Sequence, residues 1–131
     1  MATSTDRLAI SRLIHRFGFG PKPGEFKSLL DMGLSGASTK ILTPTAQDAG
    51  LAAIADIDFP DRGKFPTPNT PEKLIFTQTM QSDRRSLELW WLDRMVAADN
   101  ALTERMTWFW HGHWATSLGK VEYARPMKAQ N

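Results

Sequence analysis

The segment that decides the fold is residues 102–114, LTERMTWFWHGHW, which holds three of the chain's five tryptophans and two of its three histidines. A helix here would place one stripe of side chains within about 100° of arc, which is the width of a core-facing stripe. Its members would be Leu102, Met106, Phe109, Trp110 and His113. The opposite side of that helix would carry Glu104, Trp108 and His111. In this conformation His111 and His113 point about 200° apart, so both cannot hold one metal ion. His113 then becomes a buried histidine that needs a hydrogen-bond partner.

A strand is the alternative interpretation of the same segment. Strand alternation would put His111 and His113 on one face, as neutral imidazoles that suit zinc or a similar metal. Aromatic residues favour strands, and Gly112 is a poor helix residue. However, residues 103–106 are good helix formers, and the carboxylate and further histidines that such a metal site requires do not follow in the sequence. We therefore predict a helix.

The rest of the chain also carries helical patterns. We expect an all-α fold with helices near residues 4–17, 24–32, 34–42, 71–98 and 101–116. Ser4 or Thr5 is placed to cap the first helix, Gly33 separates the second from the third, and Pro71 starts the fourth behind Thr70. Residues 43–70 are rich in proline and lack periodicity, which predicts one long irregular loop.

The predicted fourth helix carries two apolar stripes. The first consists of Phe76, Met80, Leu87, Trp91 and Met95, and the second of Leu89, Leu92 and Val96. The two stripes together predict that residues 87–96 are buried on two sides. The short Asp99-Asn100 connection predicts that the fourth and fifth helices form an antiparallel pair.

Composition excludes several classes of function. The chain has 131 residues, no cysteine and a formal net charge of +2. The absence of cysteine excludes disulfides, thiolate zinc sites and cysteine nucleophiles, and the small charge predicts no nucleic-acid partner. The sequence has no apolar run of about 18 residues, so it predicts no transmembrane segment. Charged residues interrupt every apolar stretch near the N-terminus, so no signal peptide is recognised and we expect a cytoplasmic protein.

Three blocks of the sequence, taken together, resemble the uncharacterised bacterial family called domain of unknown function 1800. They are residues 11–26, SRLIHRFGFGPKPGEF, residues 87–95, LELWWLDRM, and residues 102–121, LTERMTWFWHGHWATSLGKV. The last residues, 125–131, RPMKAQN, are similar to the start of that family's next helix. The blocks stand in the family's order and span nearly the whole chain.

This resemblance implies several properties that the residues alone do not. Family members are several times longer, so we expect residues 1–131 to be a partial helical domain, the N-terminal portion of a larger multi-helix protein. Members are often exported and often encoded beside a phosphatase-like partner protein, which leaves the cell envelope or export open as the compartment. The family brings no established activity. It does mark His111, His113 and Ser117 as candidate catalytic residues, because they lie in its most recognisable block.

Three hypotheses for function follow. The first is a non-catalytic helical scaffold that binds a protein partner through exposed apolar helix faces. The second is a metal-dependent hydrolase in which His111 and His113 bind a transition metal with ligands beyond residue 131. The third is a cofactor or redox protein with His113 as a ligand in an aromatic pocket. No nucleophile motif surrounds Ser117, so the first hypothesis is preferred.

Overall fold

The computed structural model of the chain describes residues 3–113 and 117–130, and all regular structure within those residues is helical. The helices are α1 Ser4–Phe17, α2 Glu25–Leu42, α3 Ala49–Ala52, α4 Pro71–Ala97, α5 Leu102–His113, α6 Leu118–Val121 and α7 Ala124–Gln130. The all-α prediction is confirmed, and the strand alternative is wrong for residues 102–113. The predicted end of the fifth helix at residue 116 lies outside the described residues, as do Trp114 and Asn131.

The first helix is capped one residue earlier than the sequence predicted. Thr3, rather than Ser4 or Thr5, is the N-cap, and its hydroxyl accepts the N–H of Asp6 at 3.1 Å. The Asp6 carboxylate accepts the N–H of Thr3 in return at 3.0 Å. This reciprocal capping box satisfies two N–H groups that the first helical turn leaves without a partner.

The second helix is broken where the sequence predicted a boundary. Gly33 has φ 72° and ψ 172°, a backbone conformation that glycine adopts far more readily than other residues. The two halves of α2 therefore correspond to the two predicted helices, 24–32 and 34–42. They pack on α1 to form the first hydrophobic core, whose buried residues are Ile10, Ile14, Leu29 and Ala37.

The second hydrophobic core joins α4 to the Pro-rich loop and α7. Residues 43–70 contain the short helix α3 and are otherwise irregular, as predicted. Phe59 of this loop is nevertheless buried, and it packs with Leu87, Ala124 and Met127. An ion pair between Arg62 Nε and Asp83 Oδ2, at 2.9 Å, also ties the loop to α4.

The fourth helix is continuous over 27 residues. Its N-cap is Thr70, whose hydroxyl accepts the N–H of Lys73 at 3.2 Å, and Pro71 occupies the first turn as predicted. Among the described residues, no helix is both long enough and apolar enough to cross a bilayer.

The connection between α4 and α5 is fixed by Asn100. Its side-chain amide donates to the carbonyl oxygens of Lys40 and Thr43, at 3.0 and 3.2 Å, and its Oδ1 accepts the N–H of Leu102 at 3.0 Å. The same side chain therefore satisfies carbonyls at the end of α2 and an N–H at the start of α5. This arrangement determines where α5 lies relative to the two cores.

Candidate functional site

Burial along α5 does not follow the stripe that the helical periodicity predicted. On the side opposite that stripe, Glu104 is buried whereas Trp108 is 49% exposed. Glu104 is the one residue of this helix that is fully buried, with 3% of its surface exposed. Met106, Phe109 and Trp110, which the helical periodicity placed toward the core, are exposed. The helix is apolar on almost all sides, so its periodicity does not distinguish the buried side.

The Glu104 carboxylate joins α5 to α4. Its Oε1 accepts hydrogen bonds from Nη2 and Nε of Arg94, at 2.6 and 3.1 Å. Its Oε2 accepts the indole N–H of Trp91 at 3.2 Å. A buried carboxylate is strongly destabilising unless it is paired and hydrogen-bonded, and here both oxygens have partners. The geometry is that of a structural ion pair, since the carboxylate is buried and both of its oxygens have protein partners.

His111 lies next to this ion pair. It follows Glu104 by seven residues, which is nearly two helical turns, so both residues lie on the same side of α5. The rings of His111 and Trp91 are 5.1 Å apart between centroids and tilted by 35°. His111 is half-buried, and it also lines an open cleft of about 690 Å³ with Pro44, Met106, Thr107 and Gln130.

His113 does not occupy the position that the sequence predicted. It is exposed and stacks on Phe109, with ring centroids 6.2 Å apart and planes within 10°. The expectation of a buried, hydrogen-bonded His113 is therefore wrong. His111 and His113 lie on different sides of α5, as helical geometry requires.

Ser117 lies before α6, and its side chain is exposed. Its backbone carbonyl accepts the N–H groups of Lys120 and Val121, both at 2.9 Å. Within the described residues, no hydrogen bond links Ser117 to either histidine of α5. His111 thus lies at a cleft whose lining includes Thr107, and Ser117 is not joined to it by a hydrogen bond within the described residues.

The described residues do not assemble a metal centre by themselves. In residues 3–113 and 117–130, no three side chains of histidine, aspartate or glutamate come together to hold a metal ion. The proposed ligands His111 and His113 face apart, and the nearest carboxylate to His111 along its helix face, Glu104, is occupied by Arg94 and Trp91. The metal-site and cofactor hypotheses therefore stay predictions that depend on ligands outside these residues.

A second prominent feature is the outer face of α4. The first apolar stripe packs inward as predicted, with Met80 and Leu87 buried. The second stripe is not buried, contrary to the prediction, because Leu89, Leu92 and Val96 are 49%, 55% and 76% exposed. We call these three residues the α4 seam.

The α4 seam borders a cleft of about 370 Å³. Leu92 and Val96 line this cleft together with the side chains of Ile41 and Leu102 and the loop that follows α1. The seam is thus continuous with a concave apolar surface between the ends of α1, α2 and α4. Such a surface is typical of sites that bind a protein or an apolar ligand.

These features define an all-α protein whose two cores leave one face of its longest helix uncovered. The family comparison agrees with that description, because the model of the family described as "Protein of unknown function (DUF1800)" matches residues 12–131. The chain therefore belongs to the DUF1800 family. No match is found among curated proteins or among solved structures.

Proposed function

We propose that the chain is a helical binding module that holds a protein partner on the α4 seam. The observation that supports this proposal is the exposure of Leu89, Leu92 and Val96 on one face of one helix. Burying an apolar side chain of this size stabilises a complex by about 1.5–3 kcal/mol when burial is complete. Three such residues in adjacent turns, bordering an apolar cleft, form the kind of patch that marks an interaction site.

The residues around the candidate histidines support binding rather than catalysis. Glu104 and Arg94 neutralise each other, and the pair connects two helices instead of facing the cleft with an unsatisfied group. Of His111, Glu104 and Arg94, His111 is the residue that lines the cleft. A positioned acid or base accelerates a reaction only when a reacting group is held beside it.

Site-specific photocrosslinking tests this proposal. A photoreactive phenylalanine analogue is placed at Leu92 in the full-length chain and, as a matched control, at Leu8, an exposed leucine of α1. We expect a recurring product between position 92 and one other protein, identified by peptide mass spectrometry, and none from position 8. Products at position 92 that stay within the chain, or that join two copies of it, would overturn the proposal.

A metal inventory separates this proposal from the hydrolase hypothesis. The full-length protein is purified without chelator or nickel and analysed by plasma mass spectrometry. A binding module should carry no stoichiometric transition metal. A near-stoichiometric metal that is lost in both His111→Ala and His113→Ala would favour the hydrolase.

The compartment remains a prediction of the sequence. The N-terminal residues predict the cytoplasm, whereas the family resemblance implies the cell envelope for some members. Cell fractionation with detection of the full-length chain measures this directly, and the crosslinking experiment should be made in the fraction where the protein is found.

A further inference from the structure

The α4 seam has the spacing of a coiled-coil contact, because Leu89, Leu92 and Val96 follow one another by three and four residues. Ile75, Ser82, Leu89 and Val96 are seven residues apart, and Gln78, Arg85 and Leu92 form a second row with the same period. All seven side chains are exposed. In coiled-coil nomenclature the first row occupies the a positions and the second row the d positions, which contact a neighbouring helix. Ser82, Gln78 and Arg85 are polar, so the apolar positions of this pattern are Ile75 and the α4 seam. The three- and four-residue spacing within the seam fits a helix as the occupant.

Acidic side chains flank the α4 seam on both sides. Glu88 and Asp93 occupy the g and e positions beside Leu89 and Leu92, and both are exposed. Within residues 3–113 and 117–130, neither carboxylate forms an ion pair. Charges at e and g positions select the partner of a helix by pairing with opposite charges on it.

The charge at these positions disfavours a second copy of the chain as the occupant. If two α4 helices paired through their seams, the flanking side chains of both would be Glu88 and Asp93. Like charges placed across an interface are destabilising, and here no basic residue at an e or g position beside the α4 seam offsets them. Nearby Lys22 donates to the carbonyl of Ala97 at 2.9 Å and lies 3.5 Å from Asp99, so it is already engaged.

We infer that the α4 seam binds an amphipathic helix of another protein, one with apolar residues at its contact positions and lysine or arginine on both flanks. This inference rests on the proposed function and names the chemistry of its partner. The α4 seam provides the apolar contact, and the carboxylates of Glu88 and Asp93 provide the selectivity.

Two synthetic helical peptides test the inference. They share leucine and isoleucine at the a and d positions, but one carries lysine and the other glutamate at all e and g positions. Binding to the full-length chain is measured by fluorescence anisotropy at low salt. We expect the lysine peptide to bind at least tenfold more tightly, and the ratio to shrink at high salt because screening weakens the flanking pairs. Equal affinities, or no binding of either peptide, would overturn the inference.

A charge-reversed variant supplies the second arm. Glu88→Lys with Asp93→Lys should reverse the preference, so that the glutamate peptide binds more tightly. The control variant, Asp31→Lys with Asp58→Lys, changes the net charge equally at exposed positions outside the α4 seam and its flanks and should keep the original preference. If crosslinking at Leu92 captures a partner while the charge-reversed variant keeps the original peptide preference, the proposed function stands and this inference alone fails.

Discussion

Glu104 is the residue whose surroundings differ most from those its side chain prefers. It is an acid with 3% exposure, held by Arg94, whose own side chain is 26% exposed. Glu104→Gln should lower the free energy of unfolding by about 1–3 kcal/mol, because the amide replaces an acceptor of Arg94 with a poorer one and leaves a buried charge less well paired. Urea denaturation of the full-length chain measures this change.

Two further variants show whether the ion pair or the packing is responsible. Glu88→Gln, at an exposed position of α4, should change stability by less than about 0.5 kcal/mol. Replacing both partners, Glu104→Leu with Arg94→Leu, should recover only part of the loss, because it removes both charges but leaves the indole N–H of Trp91 without its acceptor. A Glu104→Gln variant as stable as the original chain would contradict the structural role of this carboxylate.

Asn100 gives a second prediction at the residue scale. Asn100→Asp keeps the shape of the side chain but removes the amide that donates to Lys40 and Thr43. The new carboxylate would face those carbonyl oxygens, so the loss should be about 1–3 kcal/mol and should exceed that of Asn100→Ala. The midpoints of thermal unfolding of the Asn100→Asp and Asn100→Ala variants measure this difference in stability. A smaller loss for the aspartate variant would show that the amide is not the group that matters.

At this scale the sequence identified the neighbourhood of the site but not its central residue. The unusual aromatic block directed attention to His111 and His113, and the structure places the first beside Trp91 and the second at the surface. The helical periodicity placed Glu104 opposite the predicted core-facing stripe, together with Trp108 and His111. The available signal was the occurrence of an acid in a helix rich in apolar residues. The partner of this acid, Arg94, lies on α4, and the periodicity of α5 does not reveal a contact with another helix.

The contact between α3 and α4 provides a prediction at the scale of elements. Gly50 lies against the end of α4, where a Cβ atom would overlap the carbonyl oxygen of Ala97. Gly50→Ala should therefore separate the two helices and destabilise the chain by about 1–3 kcal/mol. The expected shift is a lower midpoint in urea denaturation.

Gly112 is the matched control for that substitution. It lies within α5, and apart from its chain neighbours and the backbone of its own helix no described atom is within 4 Å of where its Cβ would stand. Gly112→Ala should stabilise the chain by about 0.5–1 kcal/mol, because alanine loses less backbone entropy in a helix. If both substitutions were equally destabilising, the close approach at Gly50 would not explain its effect.

Helix boundaries were predictable because their signals are local. Thr70 with Pro71, and Gly33, act through the backbone conformation of their own neighbourhood, so they appear in the structure where the sequence placed them. The side that each helix buries was less predictable. The first stripe of α4 packs inward as expected, but the second stripe is exposed, because burial depends on which helices cover it.

At the scale of the whole molecule, two small cores are joined through polar contacts. Asp48 connects the start of α3 to the α4–α5 turn, since its carboxylate accepts the N–H groups of Leu51, Asp99 and Asn100 at 2.8–2.9 Å. Asn100 in turn reaches the end of α2. The core of α1 and α2 is thus linked to the core of α4 and α7 through hydrogen bonds around residues 48–51 and 99–102.

This linkage predicts how the stability of the molecule depends on pH. Partial burial raises the pKa of Asp48, but the hydrogen bonds from Asp99, Asn100 and Leu51 outweigh that effect and hold the pKa below 3.8. A carboxyl group with a lowered pKa in the folded state stabilises the fold above its unfolded pKa, and that contribution is lost as the pH falls through the folded pKa. The contribution of Asp48 to stability should therefore be lost as the pH falls below about 4.

Asp48→Asn tests whether this carboxylate contributes to the acid sensitivity. At pH 6 the variant should be less stable by about 1–2 kcal/mol, because hydrogen bonds to a charged acceptor become neutral. The difference should shrink as the pH falls below 4, since the original chain then loses the same charge. Asp58→Asn, at an exposed position of the loop, should follow the original curve. A difference between the original chain and the Asp48→Asn variant that stays constant from pH 6 to pH 3 would mean that the Asp48 charge does not link the two cores.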